Sequence, residues 1–174
     1  PAQRNAPGGR GFAAMNDPDY QTAAVSLIGD RELNQDRYGI FGAGGERLLL
    51  VADGMGGHPR GEIAAELVLK YAEAHFGAGS IGAPEGFLQG LIAGGHRRIQ
   101  DFGRSQSPPI HPGTTLVAVL IQPQRLSWVH AGDSRLYRLR ANALEWTRDH
   151  SYVQQLVDAG ELSAAEAETH PLRN

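Results

Sequence analysis

The sequence predicts an α+β fold built in layers from antiparallel strands. Short strand-like runs arrive in hairpin order, two helical stretches follow, and three further strand-like runs come after the helices. Alternating strand–helix units would instead have signalled a parallel sheet. At 174 residues, 41% of them hydrophobic, the chain is long enough to bury the core of one domain.

The first stretch, Pro1 to Ala14, is rich in Gly, Pro and Arg without periodicity, and reads as a disordered leader. The expected division is a leader over 1–20 and a globular domain over 21–174. Thr22–Ile28, Asp36–Phe41 and Arg47–Ala52 are strand-like, and Gly44-Gly45 between the last two predicts a tight hairpin. A helix is expected from Gly61 to about Phe76, with Ile63, Leu67 and Tyr71 on one face. A second runs from Pro84 to about Phe102, where Leu88, Leu91, Ile92, Gly95, Ile99 and Phe102 form a stripe and Pro84 suits the first turn. Strands follow at Thr114–Ile121, Leu126–His130 and Arg135–Arg140, with turns at Pro123-Gln124 and Ala141-Asn142. Ser151–Ala159 returns to helix and closes at Gly160, and Ser163 with Glu166 has capping-box spacing.

Composition narrows the chemistry. A net charge of -3 gives no electrostatic reason to expect nucleic acid or an anionic membrane as partner. No apolar run approaches bilayer length and no signal peptide opens the sequence, so a cytoplasmic protein is the expectation. The absence of cysteine excludes disulfides, thiolate zinc sites and a phosphocysteine route.

Three segments could carry chemistry. In Leu48–His58 a strand delivers Asp53 into a glycine-rich turn; a rigidly held carboxylate beside closely approaching carbonyls suits a hard cation. Taken alone, the same string reads slightly better as a tight turn with an Asx hydrogen bond. Asp30–Asp36 places Arg31, matched to phosphate, a short loop from Asp36, which suits holding a metal-bound water. Solvated surface charges give the same pattern. Trp128–Arg135 again brings an aspartate, Asp133, beside a glycine, or is a plain hairpin turn. Gly113-Thr114-Thr115 opens a strand with two hydroxyls, read as packing and backbone bonding, and Thr147–Ser151 reads as a helix entry capped by Ser151.

Taken in order, the Arg31/Asp36 loop, the DGMGGH string from Asp53 to His58, Gly113-Thr114-Thr115, Gly132-Asp133-Ser134-Arg135 and Thr147-Arg148-Asp149-His150-Ser151 resemble the type 2C family of metal-dependent serine/threonine phosphatases, in its bacterial form. The resemblance runs from Val25 to Asn174, including the closing His170-Pro171-Leu172-Arg173-Asn174. It implies an antiparallel β-sandwich flanked by helices, with two Mn2+ or Mg2+ ions and room for a third. It implies hydrolysis of phosphoserine and phosphothreonine in proteins by a metal-activated water. By position, Asp53 would bridge the metals and the Gly54 carbonyl bind one. Asp36 would orient metal-bound water, Arg31 hold the phosphate, and Asp133 help bind the third ion. The helices from Ser151 onward would form the flap beside the site.

This chain departs from the family pattern at Gln35, where many members carry glutamate, and at Met55, where animal and plant members often carry a histidine acid. The family's later SDG and DN metal strings are not found before Asn174. The resemblance therefore predicts a domain incomplete at its C-terminal end and weak or inactive by itself. A phosphoprotein-binding module without catalysis is the competing reading. A serine hydrolase from Gly132-Asp133-Ser134 has Leu136 where a nucleophile elbow needs glycine, Gly113-Thr114-Thr115 lacks the lysine of a P-loop, and the seven histidines have no zinc-ligand spacing.

Overall fold

The computed structural model describes residues 3–4, 11–16, 21–55, 58–77 and 81–172. Gly56 and Gly57 of the glycine-rich string, the closing Arg173-Asn174, and residues 1–2, 5–10 and 17–20 of the expected leader lie outside the described residues. The elements in order are β1 (Gln3–Arg4), β2 (Gly11–Asn16), β3 (Gln21–Ser26), β4 (Arg37–Ala43), β5 (Glu46–Ala52), α1 (Gly61–Phe76) and α2 (Pro84–Ser105). They continue with β6 (Leu116–Gln122), β7 (Arg125–Ala131), β8 (Tyr137–Arg140), β9 (Ala143–Trp146), α3 (Tyr152–Asp158) and α4 (Ala164–Thr169).

The expected antiparallel α+β layering forms. One sheet has the order β1-β4-β5-β6-β7, and β2-β3 and β8-β9 are two-stranded ribbons. The β4–β5 hairpin pairs Ala43 with Glu46 across Gly44 and Gly45, whose φ values of 56° and 83° lie where glycine is free of Cβ strain. Two parts of the expected leader correct that expectation. Gln3–Arg4 pairs with β4, and Gly11–Asn16 pairs along its length with β3. Strand pairing is made by backbone groups, so a stretch without hydrophobic period can still enter a ladder.

Alternation on the strands places the core. Leu48, Leu50 and Ala52 of β5 and Leu116, Ala118 and Leu120 of β6 are buried, and the leucines and Ala118 among them meet Val68, Leu69, Ala72 and Phe76 of α1 and Leu88 and Leu91 of α2. Each fully buried leucine contributes roughly 2 kcal/mol of transfer free energy. The opposite face of the same sheet lines up Leu49, Val119 and Trp128 across β5, β6 and β7. There Val51, Leu126 and Trp128 are 47–48% exposed.

α1 forms where the pattern predicts it, but its buried face is rotated. Ala64, Ala65, Val68, Leu69 and Ala72 turn inward, while Ile63, Leu67 and Tyr71 are only partly buried. A close approach selects the small face: a Cβ on Gly39 would stand 2.6 Å from Leu69 Cδ1, so the helix rests almost on the β4 backbone. α2 keeps the expected stripe, with Leu88, Leu91 and Gly95 buried and Ile92 and Ile99 packed at its edge. α3 and α4 start as expected. Ser151 Oγ accepts the Gln154 N–H, and Ser163 with Glu166 forms the full capping box. The strand β9 after Ala141-Asn142 is an addition to the elements expected from sequence. Among the described residues no helix is long and apolar enough to cross a membrane.

Candidate active site

The site gathers at the ends of strands β5 and β7. β5 is apolar through Ala52 and delivers Asp53 at its end, where Thr115 fixes the backbone from both sides. The Thr115 N–H donates to Asp53 O at 2.8 Å, and the Asp53 N–H donates to Thr115 Oγ1 at 3.1 Å. Thr114 Oγ1 adds a third hydrogen bond, donating to Asp53 O at 2.9 Å. Gly54 bridges Thr114, and its N–H donates to Gln35 O at 3.3 Å. A Cβ on Gly54 would stand 2.5 Å from the Gly61 carbonyl carbon, so only glycine lets the start of α1 sit against this turn. Next along the chain, the Met55 N–H donates to Gly113 O at 3.0 Å and His58 Nδ1 contacts His111 O at 2.9 Å.

The loop carrying Arg31 and Asp36 is held by buried polar groups. Asn34, 4% exposed, donates Nδ2 to Ser26 Oγ at 2.7 Å, and its Oδ1 accepts the Asp36 N–H at 2.9 Å. Arg37, also 4% exposed, donates Nη1 to the carbonyls of Asn34 and Asp36 and Nε to Glu66 Oε2 of α1 at 3.2 Å. A buried guanidinium bonded through Nε and Nη1 ties the loop to a helix, and the Asp36 carboxylate reaches Asp53.

Asp133 sits in the turn after β7. Gly132 precedes it with φ 100°, and the Ser134 and Thr115 hydroxyls are 2.7 Å apart. Arg135 then makes a two-pronged ion pair with Asp149, Nε to Oδ1 at 2.6 Å and Nη2 to Oδ2 at 2.7 Å, which pushes the guanidinium pKa further up. The His150 N–H donates to Gly132 O at 2.9 Å, and the rings of His130 and His150 stack at 4.2 Å. The segment leading into α3 is thereby clamped to the Asp133 turn.

The carboxylates feel one another. The pKa of Asp53 is pushed from 3.8 to about 6, first by partial desolvation, then by the charge of Asp36 and a hydrogen bond with it, then by the charge of Asp133; the Arg31 guanidinium opposes the rise. Four of the five sequence-predicted site residues, Arg31, Asp36, Asp53 and Asp133, are thus brought within electrostatic reach, and Gly54 lies in the same turn as Asp53. A cation between Asp36 and Asp53 suits this arrangement, because it would remove their mutual repulsion. Among the described residues no three His, Asp or Glu groups converge closely enough to enclose an ion by themselves. Ser134 bonds to Thr115 and not to a histidine base, which removes the support for a serine nucleophile. The sequence does not mark Asn34, Arg37 or Glu66 as supports of the site, since burial is what makes such common residues informative.

Comparisons with known proteins identify the family. The sequence model of the family described as protein phosphatase 2C matches residues 25–170. The serine/threonine protein phosphatase PstP of Mycobacterium tuberculosis is 41% identical over 132 residues, which cover 75% of this chain and 26% of PstP. The serine/threonine phosphatase stp of Listeria monocytogenes is 34% identical over 153 residues, covering 83% of this chain and 60% of that protein. Among solved structures, Stp1 of Staphylococcus aureus aligns over 99% of this chain and 62% of its own, with TM-score 0.79 and 29% identity. The PstP catalytic domain in complex with two manganese ions aligns over 96% of this chain and 65% of its own, with TM-score 0.69 and 34% identity. The chain therefore spans between about a quarter and two thirds of the length of these relatives. With the family model covering most of its length and the same motifs gathered in one site, the chain belongs to the protein phosphatase 2C family.

Proposed function

We propose that this chain supplies the site of a metal-dependent protein serine/threonine phosphatase. The observation that carries the reading is that Asp36, Asp133 and Arg31 lie within electrostatic reach of Asp53 at one end of the sheet, with Asp53 destabilised as an anion until a cation compensates it. Asp53 and the Gly54 carbonyl would hold divalent cations, manganese or magnesium; a relative was crystallised with two manganese ions. Such a cation would supply, when bound, a water of lowered pKa and an electrophilic partner for a phosphoryl oxygen. Asp36, its backbone fixed by Asn34 and Arg37, would accept hydrogen bonds from water at the site and orient it. Arg31 would hold the phosphate of a phosphoserine or phosphothreonine and offset the charge developing on it. Asp133 offers a carboxylate for a third, weaker cation. The helices from Ser151 onward would form a flap beside the site and contact the protein part of the substrate.

A second reading, a phosphoprotein-binding module without hydrolysis, is favoured by one observation: among the described residues no three acidic or imidazole groups enclose an ion. Hydrolysis of a phosphothreonine peptide, with manganese and with chelator, separates the two. It would be measured on this chain and on a version extended to the length of its relatives. Manganese-dependent turnover by the extended version, abolished by Asp53→Ala, supports the phosphatase. Binding of phosphopeptide with no turnover in either version supports the module.

A further inference from the structure

Thr115, just before β6, is 3% exposed and uses each branch of its side chain on a different part of the site. Its Oγ1 accepts the Asp53 N–H at 3.1 Å and is 2.7 Å from Ser134 Oγ. Its methyl group packs under the opposite turn: a Cβ on Gly132 would stand 2.8 Å from Thr115 Cγ2. Thr115 Oγ1 thus accepts the Asp53 amide and shares a hydrogen bond with Ser134 in which either hydroxyl can donate, giving a continuous run from Asp53 N–H through Thr115 Oγ1 to Ser134 Oγ. Serine would lack the methyl, valine the hydroxyl, and any β-carbon at residue 132 would displace the threonine. Asp53 and Asp133 come from turns 80 residues apart in sequence, and this one side chain bonds to the first and packs against the second.

We propose that Thr115, with Ser134, is a positioning pair that sets the placement of the Asp53 turn relative to the Asp133 turn, and so the separation of two cation-binding carboxylates. The inference rests on reading the three aspartates as one site, but its central claim is a coupling that exists without any ion. Neither hydroxyl touches substrate; both act through the aspartates.

The test uses the whole chain and amide hydrogen exchange followed by NMR in the presence of chelator. Ser134 does not contact Asp53, yet Ser134→Ala is expected to speed exchange of the Asp53 amide by about tenfold, the loss of one hydrogen-bond link. Thr115→Val should do the same or more, and Thr115→Ser should restore protection. The double variant Thr115→Val with Ser134→Ala should be no worse than Thr115→Val alone, since both break one path. Core amides of α1, such as that of Leu69, report global stability and should be unmoved by Ser134→Ala. Asp53 exchange in Ser134→Ala within about twofold of the native rate overturns the coupling. A parallel rise at Leu69 also overturns it, showing general loosening. Should Thr115→Val fail to fold, Ser134→Ala decides the question. A magnesium titration then asks a separate question. Equal perturbation of the Asp53 and Asp133 amides in the native chain, weakened about tenfold in Ser134→Ala, ties the pair to cation binding. No response in the native chain would remove the tie to cation binding while the exchange result still stands for the coupling, and the phosphatase reading is decided separately by turnover of the extended version.

Discussion

At the scale of single residues, Asp53 makes the fold carry an electrostatic cost at neutral pH. Its carboxyl releases a proton near pH 3.8 when unfolded but only at about pH 6 in the folded chain. Between those values the native state binds more protons than the unfolded one, so stability contributed by this group is full below about pH 4 and lost as pH rises through about pH 6. With chelator present, Asp53→Asn should therefore melt near the native chain at pH 4 and above it at pH 7. The gain should be roughly 1 kcal/mol, discounted because this side chain is open to solvent. Thermal melts of both proteins at the two pH values read this, and a Tm difference independent of pH would refute the assigned cause. The same residue shows how much of the site is legible in sequence. Arg31, Asp36, Asp53 and Asp133 can be picked out because charged residues at strand ends beside glycine carry a chemical meaning in any fold. Thr115 reads from sequence as packing and backbone bonding, and it does bond the Asp53 backbone on both sides. Its link to Ser134 is invisible there, because it depends on β6 and β7 lying side by side.

At the scale of elements, three glycines of α2 spaced four apart are chemically identical and structurally different. A Cβ added to Gly86 or Gly90 would meet nothing within 4 Å, whereas a Cβ on Gly94 would stand 2.0 Å from the Tyr71 ring of α1. Alanine at Gly86 or Gly90 should stabilise the chain by about 0.5–1 kcal/mol through helix propensity. Alanine at Gly94 must force the Tyr71 ring out of its stack with His75, whose centroid is 3.8 Å away, and should destabilise by about 1–3 kcal/mol. Urea denaturation of the three variants would show the sign change along one helix face; a stabilising Gly94→Ala would mean that α1 and α2 are not in such close contact. The contrast also explains where sequence reading of the elements succeeds. Helix extents, the Gly44-Gly45 hairpin and both serine caps follow from local propensity and turn chemistry, which act within a few residues. The buried face of α1 does not. Ile63, Leu67 and Tyr71 make the stronger apolar stripe, yet the approach to Gly39 favours the face of Ala64, Ala65 and Val68. β9 escapes sequence reading for a similar reason: Ala143–Trp146 is short, and Ala141 takes a positive φ of 50° in the turn that starts it, an unusual conformation for alanine.

At the scale of the whole molecule, the two faces of the five-stranded sheet obey different rules. On the helix side Leu120 is fully buried, so Leu120→Ala should cost about 2–5 kcal/mol by transfer and cavity terms together. On the other side Trp128, in the same two-strand neighbourhood, is 47% exposed and Leu126 equally so. Neither has a second layer upon it among the described residues, and the apolar stripe continues through Val119 and Leu49. Exposed apolar surface of this kind drives association more than it supports the fold. Replacing Leu126 and Trp128 by lysine should therefore shift stability by no more than about 1 kcal/mol, far less than the single leucine on the helix side. It should also reduce concentration-dependent self-association, because charges on an open sheet face oppose stacking of copies. Sedimentation at rising concentration, paired with urea melts of the same samples, separates the two effects. A large stability loss in the double lysine variant would mean that this face is packed against something in the isolated chain, and that the molecule's core is two-sided.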